Sequence, residues 1–587
     1  MSRTKPSHPP ASAGALRSRT RRRSAAAPAA KQPGGEGGPP AAAPPAVPRP
    51  VAAREATRRI RALAEVGTTL EGRDRLRKLA LRVKGGCGDA QRMSFCEAAI
   101  GECLDEAVDA AGERWSACEA ATWAVAWLAR SRRAGGSAGR LLERLVSQAR
   151  AAQPLLERGD TQPAVFVLTL SRLFADVEAC RSLEGHAARA LTVEIDRLVS
   201  SQGTVSVSGS AAMVERVIRW TVARDVAEAT GGAAWPDATD RRWRSAATNA
   251  IRLLGGGGRL LAGAGRMPEV FSKPLLEAVA ACGRRRKRTI DRLRRNRRDD
   301  LRRPGDLGRA IHDPSAAVAV IRTGWGREGV RVLLDYRHAV PRLEVAVADR
   351  ILVDGPWQWE VWRDDRPLEA EGAWAVSCWE SDRKASFLEI TAPLGGGFQV
   401  ERQVVVLARD RVVLLADAIT STVAVAGTAV RYRGLVSFAP ALDAHPADET
   451  REVVVSDTGV RMLAIPLGLG EWRTAGRGGL ETADGGLVLT QETVGGGLYA
   501  PLWLDCDPER IGLPLTWRQL TIADTRQAVP PSDASGQRVQ AGRDQWLVYR
   551  SLAAPRNRTL LGCNVSCEFL LGRVKKSGEV ARTLEIQ

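Results

Sequence analysis

The chain has 587 residues, of which 44% are hydrophobic, and carries a formal net charge of +19. This length is too great for one hydrophobic core and predicts two or three domains. The periodicity along the chain, helical first and strand-like later, predicts an α+β multidomain protein. Because no stretch of 18 apolar residues is present, the sequence predicts no membrane-spanning helix.

The positive charge is concentrated in two segments. Residues 1–50 hold nine Lys or Arg against one Glu, and residues 284–303 hold twelve basic against three acidic residues. The rest of the chain is close to neutral, which excludes a basic surface over the whole folded protein. Each segment is typical either of a solvated, self-repelling stretch or of a site that binds nucleic acid or another polyanion.

Residues 1–52 are predicted to form a disordered tail. Residues 1–50 contain 11 of the 31 prolines, and a segment this rich in Pro, Ala and Gly buries too little apolar surface to fold. The arginines at its positions 17–23 are not followed by an uninterrupted apolar stretch, which argues against a secretory signal. The ten cysteines are sparse and include no Cys-x-x-Cys pair, so the sequence predicts a cytoplasmic protein.

Residues 53–283 are predicted to form an all-helical domain. Apolar residues recur there at intervals of three and four, for example in residues 94–112 and 211–232, which is the spacing of one helix face. The second of these stretches ends in Gly-Gly, where helices commonly stop. The basic residues 284–314 are predicted to be a helix or a linker.

The periodicity changes from 3.6 to 2 in the last part of the chain, and residues 315–587 are predicted to form an all-β domain. At least thirteen short segments rich in Val, Trp and Thr follow one another without a long helix. This pattern favours a large antiparallel β-sandwich. The stretch VVVLARDRVVLLAD (residues 404–417) is predicted to be a hairpin with a polar ARDR tip.

An all-α domain followed by a very large antiparallel sandwich resembles the heparinase II/III-like polysaccharide lyases. Four stretches between residues 200 and 420 carry this resemblance: GGAAWPDATDRRWRSAATNAIRLLGGGGRLLAGAGRMPEVF, AVAVIRTGWG, RHAVPRLEVAVADRILVDG and VERQVVVLARDRVVLLADAI. They resemble, in order, a late helix with its Gly-rich loop, the first sandwich strand, a histidine- and aspartate-bearing stretch, and a hairpin. The resemblance implies an incomplete (α/α) toroid followed by a large antiparallel β-sandwich.

The resemblance also implies one of two functional states. The protein is either an active lyase that performs β-elimination on an acidic, uronate-containing glycan, or a relative that has lost this catalysis. A lyase would make a periplasmic or secreted location the alternative to the cytoplasm. The chain departs from the family pattern, because no alignment of RHAVPRLEVAVADRILVDG keeps the histidine–aspartate set, and Met213 stands near the position of the family's tyrosine. A zinc site needs three or four converging ligands, so neither a metal nor another cofactor is predicted.

The candidate site residues lie in the sandwich, because the helical region has no tyrosine and a single histidine, His186. β-Elimination needs donors that neutralise the uronate carboxylate and a Tyr or His that moves protons. The candidate catalytic residues are Tyr336, His338 and Tyr432. Arg337 and Arg433 are the candidates for binding the carboxylate. Each of the catalytic candidates also fits an ordinary structural role in or beside a strand.

Five tryptophans fall within 23 residues, at positions 357–379. Trp357 and Trp359 share one strand face, and Trp362 points to the other. Tryptophan stacks on sugars in carbohydrate sites and also fills sandwich cores, so Trp357 and Trp359 are candidates for either role.

The alternative function, from a different class, is that of a non-enzymatic interaction protein. Such a protein would use the tail and residues 284–303 to bind a polyanion. The expected partners are therefore an acidic polysaccharide in the first interpretation, and nucleic acid or another polyanion in the second.

Overall fold

The computed structural model describes most of the chain beyond the tail. The described residues are 51–64, 70–85, 90–106, 113–129, 135–255, 259–261, 270–271, 273–282, 284–295, 308–325, 328–423, 427–474, 476, 478–483 and 485–587. The predicted disordered tail, apart from its last two residues, lies outside this part of the chain, and so do the basic residues 296–303.

The first half of the described chain is helical. Its helices are α1 (Ala53–Ala64), α2 (Leu70–Gly85), α3 (Ala90–Glu106), α4 (Arg114–Leu128), α5 (Gly135–Glu157), α6 (Ala164–Leu173), α7 (Glu178–Arg181), α8 (Glu184–Leu198), α9 (Ser210–Ala229), α10 (Asp237–Ala250), α11 (Lys273–Ala281) and α12 (Arg284–Arg295), with a short hairpin of β1 (Arg259–Leu260) and β2 (Val270–Phe271) before α11. None of the described helices is both long and apolar enough to cross a membrane.

Five of these helices pack side by side in chain order. Helix α4 packs against α1 and α6, and α9 packs against α6 and α11. Helix α6 is buried almost all round, which explains why its sequence AVFVLTLSRL has no polar face. As predicted, α9 stops just before the glycine pair, and Gly231 has a φ of 84° that favours glycine.

The second half of the described chain is built of strands. The first group is β3 (Ala310–Asp313), β4 (Val318–Arg322), β5 (Val330–Asp335), β6 (Arg342–Val347), β7 (Arg350–Arg363), β8 (Arg366–Pro367), β9 (Ala375–Ser381), β10 (Ala385–Leu394), β11 (Phe398–Leu407), β12 (Val412–Ser421), β13 (Ala429–Phe438), β14 (Asp443–Pro446), β15 (Val453–Ser456), β16 (Val460–Pro466), β17 (Gly478–Ala483), β18 (Gly486–Val494) and β19 (Leu498–Asp505). The second group is β20 (Leu515–Gln519), β21 (Ala523–Asp524), β22 (Gln527–Ala528), β23 (Ala534–Ala541), β24 (Asp544–Ser551), β25 (Arg558–Leu560), β26 (Cys563–Val565), β27 (Phe569–Val574) and β28 (Val580–Ile586).

Two large antiparallel sheets face each other. The first has the order β17-β18-β13-β7-β6-β5-β4-β3, and the second has the order β14-β15-β16-β19-β12-β11-β10-β9. The C-terminal strands form two smaller sheets, β20-β23-β24-β27-β28 and β22-β21-β25-β26. A helical part followed by large antiparallel sheets confirms the predicted fold class. The predicted boundary at residue 315 falls in the turn between β3 and β4.

The predicted hairpin is present as β11 and β12, with residues 408–411 at its tip. Arg411 there has a φ of 54°, which fits a tight turn. Strand β7 also carries the predicted alternation, since Trp357 and Trp359 face the sandwich core while Trp362 lies on the other face beside Arg431.

One end of the first large sheet is covered on both faces. Val320 and Leu333 belong to the core of the helical part, whereas their neighbours Ile321 and Leu334 belong to the core between the sheets. All residues of β4 and β5 are buried for this reason. The double burial explains their near-continuous apolar sequences, VAVIR and VRVLLD.

Candidate functional site

Tyr336, the first candidate catalytic residue, lies directly after β5 and is 5% exposed. Its hydroxyl is 2.8 Å from His312 Nε2, and the indole of Trp379 lies on the His312 ring at 5.0 Å between centroids. His338, in contrast, is exposed on the loop that follows. Tyr336 is therefore hydrogen-bonded to a histidine other than the predicted one.

His312 was missed by the sequence reasoning because its partner is 24 residues away. Strand β3 places His312 beside Ala319 of β4, which in turn pairs with Leu334 of β5. The side chains of His312 and Tyr336 then meet on the sandwich face of the sheet. The only local signal was the alternation of apolar and polar residues in AIHD.

The chemistry of this pair is set by its burial. Burial raises the pKa of Tyr336 to about 12 and lowers the pKa of His312. At neutral pH the tyrosine keeps its proton and the imidazole is uncharged. A tyrosine that acts as a base needs a pKa moved toward the working pH, so the pair is suited to holding a hydrogen bond rather than to proton abstraction.

Tyr432, the second tyrosine, lies inside the sandwich core and is 2% exposed. Its hydroxyl donates to Asp417 Oδ2 at 2.5 Å. The same carboxylate accepts two hydrogen bonds of 2.8 Å from Arg402, and neither member of this ion pair is exposed. Burial and the charge of Asp417 raise the pKa of Tyr432, so Tyr432 also keeps its proton.

The two candidate tryptophans pack beside Tyr432, Asp417 and Arg402, and these side chains together are called the Arg402 cluster. Arg402 donates to the carbonyl of Trp357 at 2.6 Å, and its guanidinium lies 4.0 Å from the centre of the Trp357 ring. Trp359 packs edge-on against Trp374 at 6.3 Å. The geometry assigns Trp357 to the core, where it covers a buried cation, and leaves Trp359 partly exposed.

The candidate arginines are both partly exposed, Arg337 in the loop after β5 and Arg433 on β13. Arg337 binds Asp335 with distances of 2.8 and 2.5 Å, and this hydrogen bonding raises the pKa of Arg337. Arg433 pairs with Glu360 at 3.6 Å across β13 and β7. Because adjacent residues in a strand point to opposite faces, Arg433 lies on the face opposite Tyr432. The structure thus does not bring the predicted residues to one point.

The stretch RHAVPRLEVAVADRILVDG, one of the four that carry the family resemblance, lies where the helical part contacts the first large sheet. Ser210, at the start of α9, donates to Glu344 at 2.5 Å, and Glu344 also forms a buried ion pair with Arg331. Met213, one turn further along α9, is 1% exposed. A buried ion pair therefore closes the contact at this point.

A carboxylate cluster in the sandwich has the spacing of a metal site. Ligand oxygens of Glu389, Glu401 and Glu568 lie within 4.8 Å of one another. The guanidinium of Arg550 lies among them, at 3.0 Å from Glu389 and at 3.0 Å from Glu568, and forms a third ion pair with Glu401. One guanidinium offsets only part of the charge of three carboxylates, but it contacts all three, so the residues fit an ion-pair network rather than a metal site.

The fold is similar to that of solved polysaccharide lyases. The heparinase III that is the BT4657 gene product matches with a TM-score of 0.54 and 10% identity, over 85% of this chain and 90% of that one. A mutant of the heparan sulfate lyase HepC from Pedobacter heparinus matches with a TM-score of 0.52 and 11% identity, over 86% and 90%. Another heparinase III matches with a TM-score of 0.51 and 9% identity, over 83% of each chain. No family model and no curated protein matches the sequence, so the likeness is one of fold.

Proposed function

We propose that this protein binds an acidic glycan and is a catalytically degenerate relative of the lyases whose fold it shares. In this proposal the helical part is an incomplete (α/α) toroid. The observation that carries the proposal is the burial of every tyrosine in the chain, each at most 5% exposed: Tyr336, Tyr432, Tyr499 and Tyr549.

Buried tyrosines cannot carry out the elimination step. The base must come within about 3 Å of the sugar proton that it removes, and a core side chain does not reach a polymer bound outside. Burial also raises the pKa values of Tyr336, Tyr432 and Tyr499, which disfavours the tyrosinate. The exposed candidate base, His338, has no tyrosine partner among the described residues.

The test is to measure binding and cleavage on the same samples. We expect heparan sulfate or chondroitin sulfate to bind to the full-length protein without any rise in the ultraviolet absorbance of unsaturated uronate. Steady formation of unsaturated products by the purified protein would overturn the proposal. In that case His338→Ala would show whether the exposed histidine is the base, since removal of a general base costs about 10²–10⁴ in rate.

Replacement of Tyr336 by phenylalanine is expected to leave glycan binding unchanged and to lower the free energy of unfolding by about 1 kcal/mol. The variant loses one buried hydrogen bond, to His312, and keeps the ring in place. Binding titration and chemical denaturation measure the two effects. A loss of glycan binding without a loss of stability would contradict the core role of Tyr336.

Helix α12 supports a second candidate function, which is polyanion binding at the surface. Ile290 and Leu293 are buried against the rest of the helical part, while Arg284, Lys287 and Arg288 are exposed. No ion pair of these three cations is present among the described residues. Within the described part of the chain, the helix therefore presents a basic face that no ion pair neutralises, and further basic residues follow it in the sequence.

Reversal of these three charges, with Arg284→Glu, Lys287→Glu and Arg288→Glu in one variant, is expected to weaken heparin binding and to flatten its salt dependence. Fewer released counterions give a shallower slope of log K against log salt. The matched control reverses three exposed arginines elsewhere in the helical part, namely Arg140 and Arg150 of α5 and Arg158 directly after it. Equal slopes for the two triple variants would assign the binding to net charge rather than to α12.

A further inference from the structure

A cavity of about 670 Å³ lies among the five helices that pack side by side, α1, α4, α6, α9 and α11. Its volume falls in the range of small-molecule sites, about 300–1,000 Å³. No residue of the strands lines it. It is therefore separate from the Tyr336 and Arg402 clusters.

The lining of the cavity is strongly basic. Seven Lys or Arg and three Asp or Glu side chains line it. Arg59 is neutralised by Glu55 and Asp225. Arg219, in contrast, makes no hydrogen bond or ion pair of 4 Å or less with any described residue. Its side chain is partly buried, and Glu215, Glu119 and Glu194 act on it only at longer range. A partly buried guanidinium that borders a cavity and has no close partner is a binding group for an anion.

Backbone dipoles add to the positive potential. First-turn residues of α1, α4, α6 and α11 all line the cavity, among them Ala53, Ser116, Val165 and Lys273. Neither α4 nor α6 has a side-chain cap at its N-terminus. The first N–H groups of a helix have no intrahelical partner and carry a partial positive charge. Several helix N-termini thus favour the same anion as Arg219.

One acidic side chain in the cavity wall is left without a full set of partners. Glu119 is 4% exposed, and its Oε1 makes no hydrogen bond of good geometry. Burial raises the pKa of Glu119 to about 7, against the opposing effects of the charge of Arg59, the nearby indole of Trp123 and the charge of Arg219. Near neutral pH the carboxyl is ionised only part of the time, and it can donate to or accept from a ligand hydroxyl.

The remaining wall is apolar. Val165 and Phe166 of α6 and Ile218 and Val222 of α9 line it. An inorganic anion would leave this apolar surface in contact with water. An organic anion whose ring presents CH groups would cover the surface, and the burial would stabilise the complex. The wall therefore favours a ring-bearing organic anion with hydroxyl groups.

We propose that this cavity binds the acidic sugar residue of a glycan. The carboxylate or sulfate lies against Arg219 and the helix N-termini, a hydroxyl group contacts Glu119, and the CH face of the ring covers Phe166 and Ile218. This inference rests on the proposed function and adds the site and the ligand unit, which is a single uronate or sulfated sugar.

Titration of the full-length protein with glucuronate and with glucose 6-sulfate tests the site, and glucose is the uncharged control. We expect both acidic sugars to bind and glucose not to bind. Arg219→Met should weaken binding of the acidic sugars about 10- to 100-fold, because it removes a charged hydrogen-bond donor. The matched control is Arg189→Met, an exposed position of α8 outside the cavity, which should change binding less than about twofold.

Glu119→Gln is expected to act in the opposite direction. The amide keeps hydrogen-bonding groups but removes the partial negative charge that repels the ligand anion, so the acidic sugars should bind several-fold more tightly, roughly 3- to 10-fold. A variant that merely misfolds would weaken binding. The pair of opposite effects therefore separates a direct role in the cavity from a loss of structure.

The outcomes for the cavity and for the proposed function are distinguishable. If heparan sulfate binds to the wild-type protein and the Arg219→Met and Arg189→Met variants bind it and the acidic sugars equally well, the cavity inference is overturned while the proposed function stands. If neither the polymers nor the acidic sugars bind to the wild-type protein, both are overturned. If glucose binds as tightly as glucuronate, the anion site is overturned.

Discussion

Asp417→Asn is expected to lower the free energy of unfolding by about 3–5 kcal/mol, the cost of leaving one charge of a buried ion pair without its partner. Arg402 is fully buried and receives its countercharge from Asp417. The asparagine is almost the same size, so the loss comes from the uncompensated guanidinium and not from a cavity. Chemical denaturation of the full chain, followed by tryptophan fluorescence, measures it.

The matched control for this prediction is the same substitution in an exposed Arg–Asp pair. Asp365 pairs with Arg431 at 3.0 Å, with side chains 85% and 47% exposed. Exposed pairs contribute about 0–1 kcal/mol, so Asp365→Asn should shift the unfolding midpoint very little. Tyr432→Phe, which removes only the hydroxyl that donates to Asp417, should fall between the two. Similar losses for Asp417→Asn and Asp365→Asn would contradict the assignment of the Arg402 cluster to the core.

The second large effect is expected where the helices contact the sheet. Glu344→Gln should lower the free energy of unfolding by about 3–5 kcal/mol, because Arg331 would stay buried without an anion. Arg331 has two further nitrogens, Nε and Nη1, without a hydrogen-bond partner, so Glu344 is its main compensation. Ser210 donates to both carboxylate oxygens of Glu344, through its N–H and its hydroxyl, and keeps only one of these two acceptors in the same variant. Denaturation and limited proteolysis between residues 282 and 310 measure the loss of stability and any loosening of this contact.

A paired replacement gives the control for the helix–sheet contact. Changing both partners, Arg331→Met with Glu344→Leu, removes both charges and keeps similar volumes, so the double variant should recover most of the stability lost in Glu344→Gln. Glu360→Gln, at the exposed partner of Arg433, should cost less than about 1 kcal/mol. A double variant no more stable than the single one would mean that the volume of these side chains, and not their charge, holds the contact.

Several features could be predicted from the sequence because they depend on neighbours along the chain. The change from helical to strand periodicity near residue 310, the end of α9 before Gly231 and the hairpin of β11 and β12 are all local patterns. The predicted hairpin also contained a signal that went unused. Its register pairs Arg402 with Asp417, and two opposite charges at paired positions of a hairpin indicate an ion pair.

The candidate site was less predictable because its contacts join distant parts of the chain. Tyr336 and His338 are two residues apart in sequence, yet the end of the strand leaves His338 exposed while Tyr336 turns inward to His312. Both faces of β5 are buried, one by the second sheet and the other by the helical part, and no local pattern records which distant residues meet each face. The catalytic roles of Tyr336, His338 and Tyr432 remain predictions, and their surroundings in the structure favour structural roles for both tyrosines.

The sequence by itself determined the order of the parts, the class of each part and the positions of the basic segments, because periodicity and composition are properties of contiguous residues. Only the tertiary structure decided which charges are neutralised. Glu119 and Arg219 lie 100 residues apart and meet at one cavity because helices that are distant in sequence pack side by side. Burial then shifts their pKa values, because the free energy of a charged side chain depends on how much solvent the fold excludes from it.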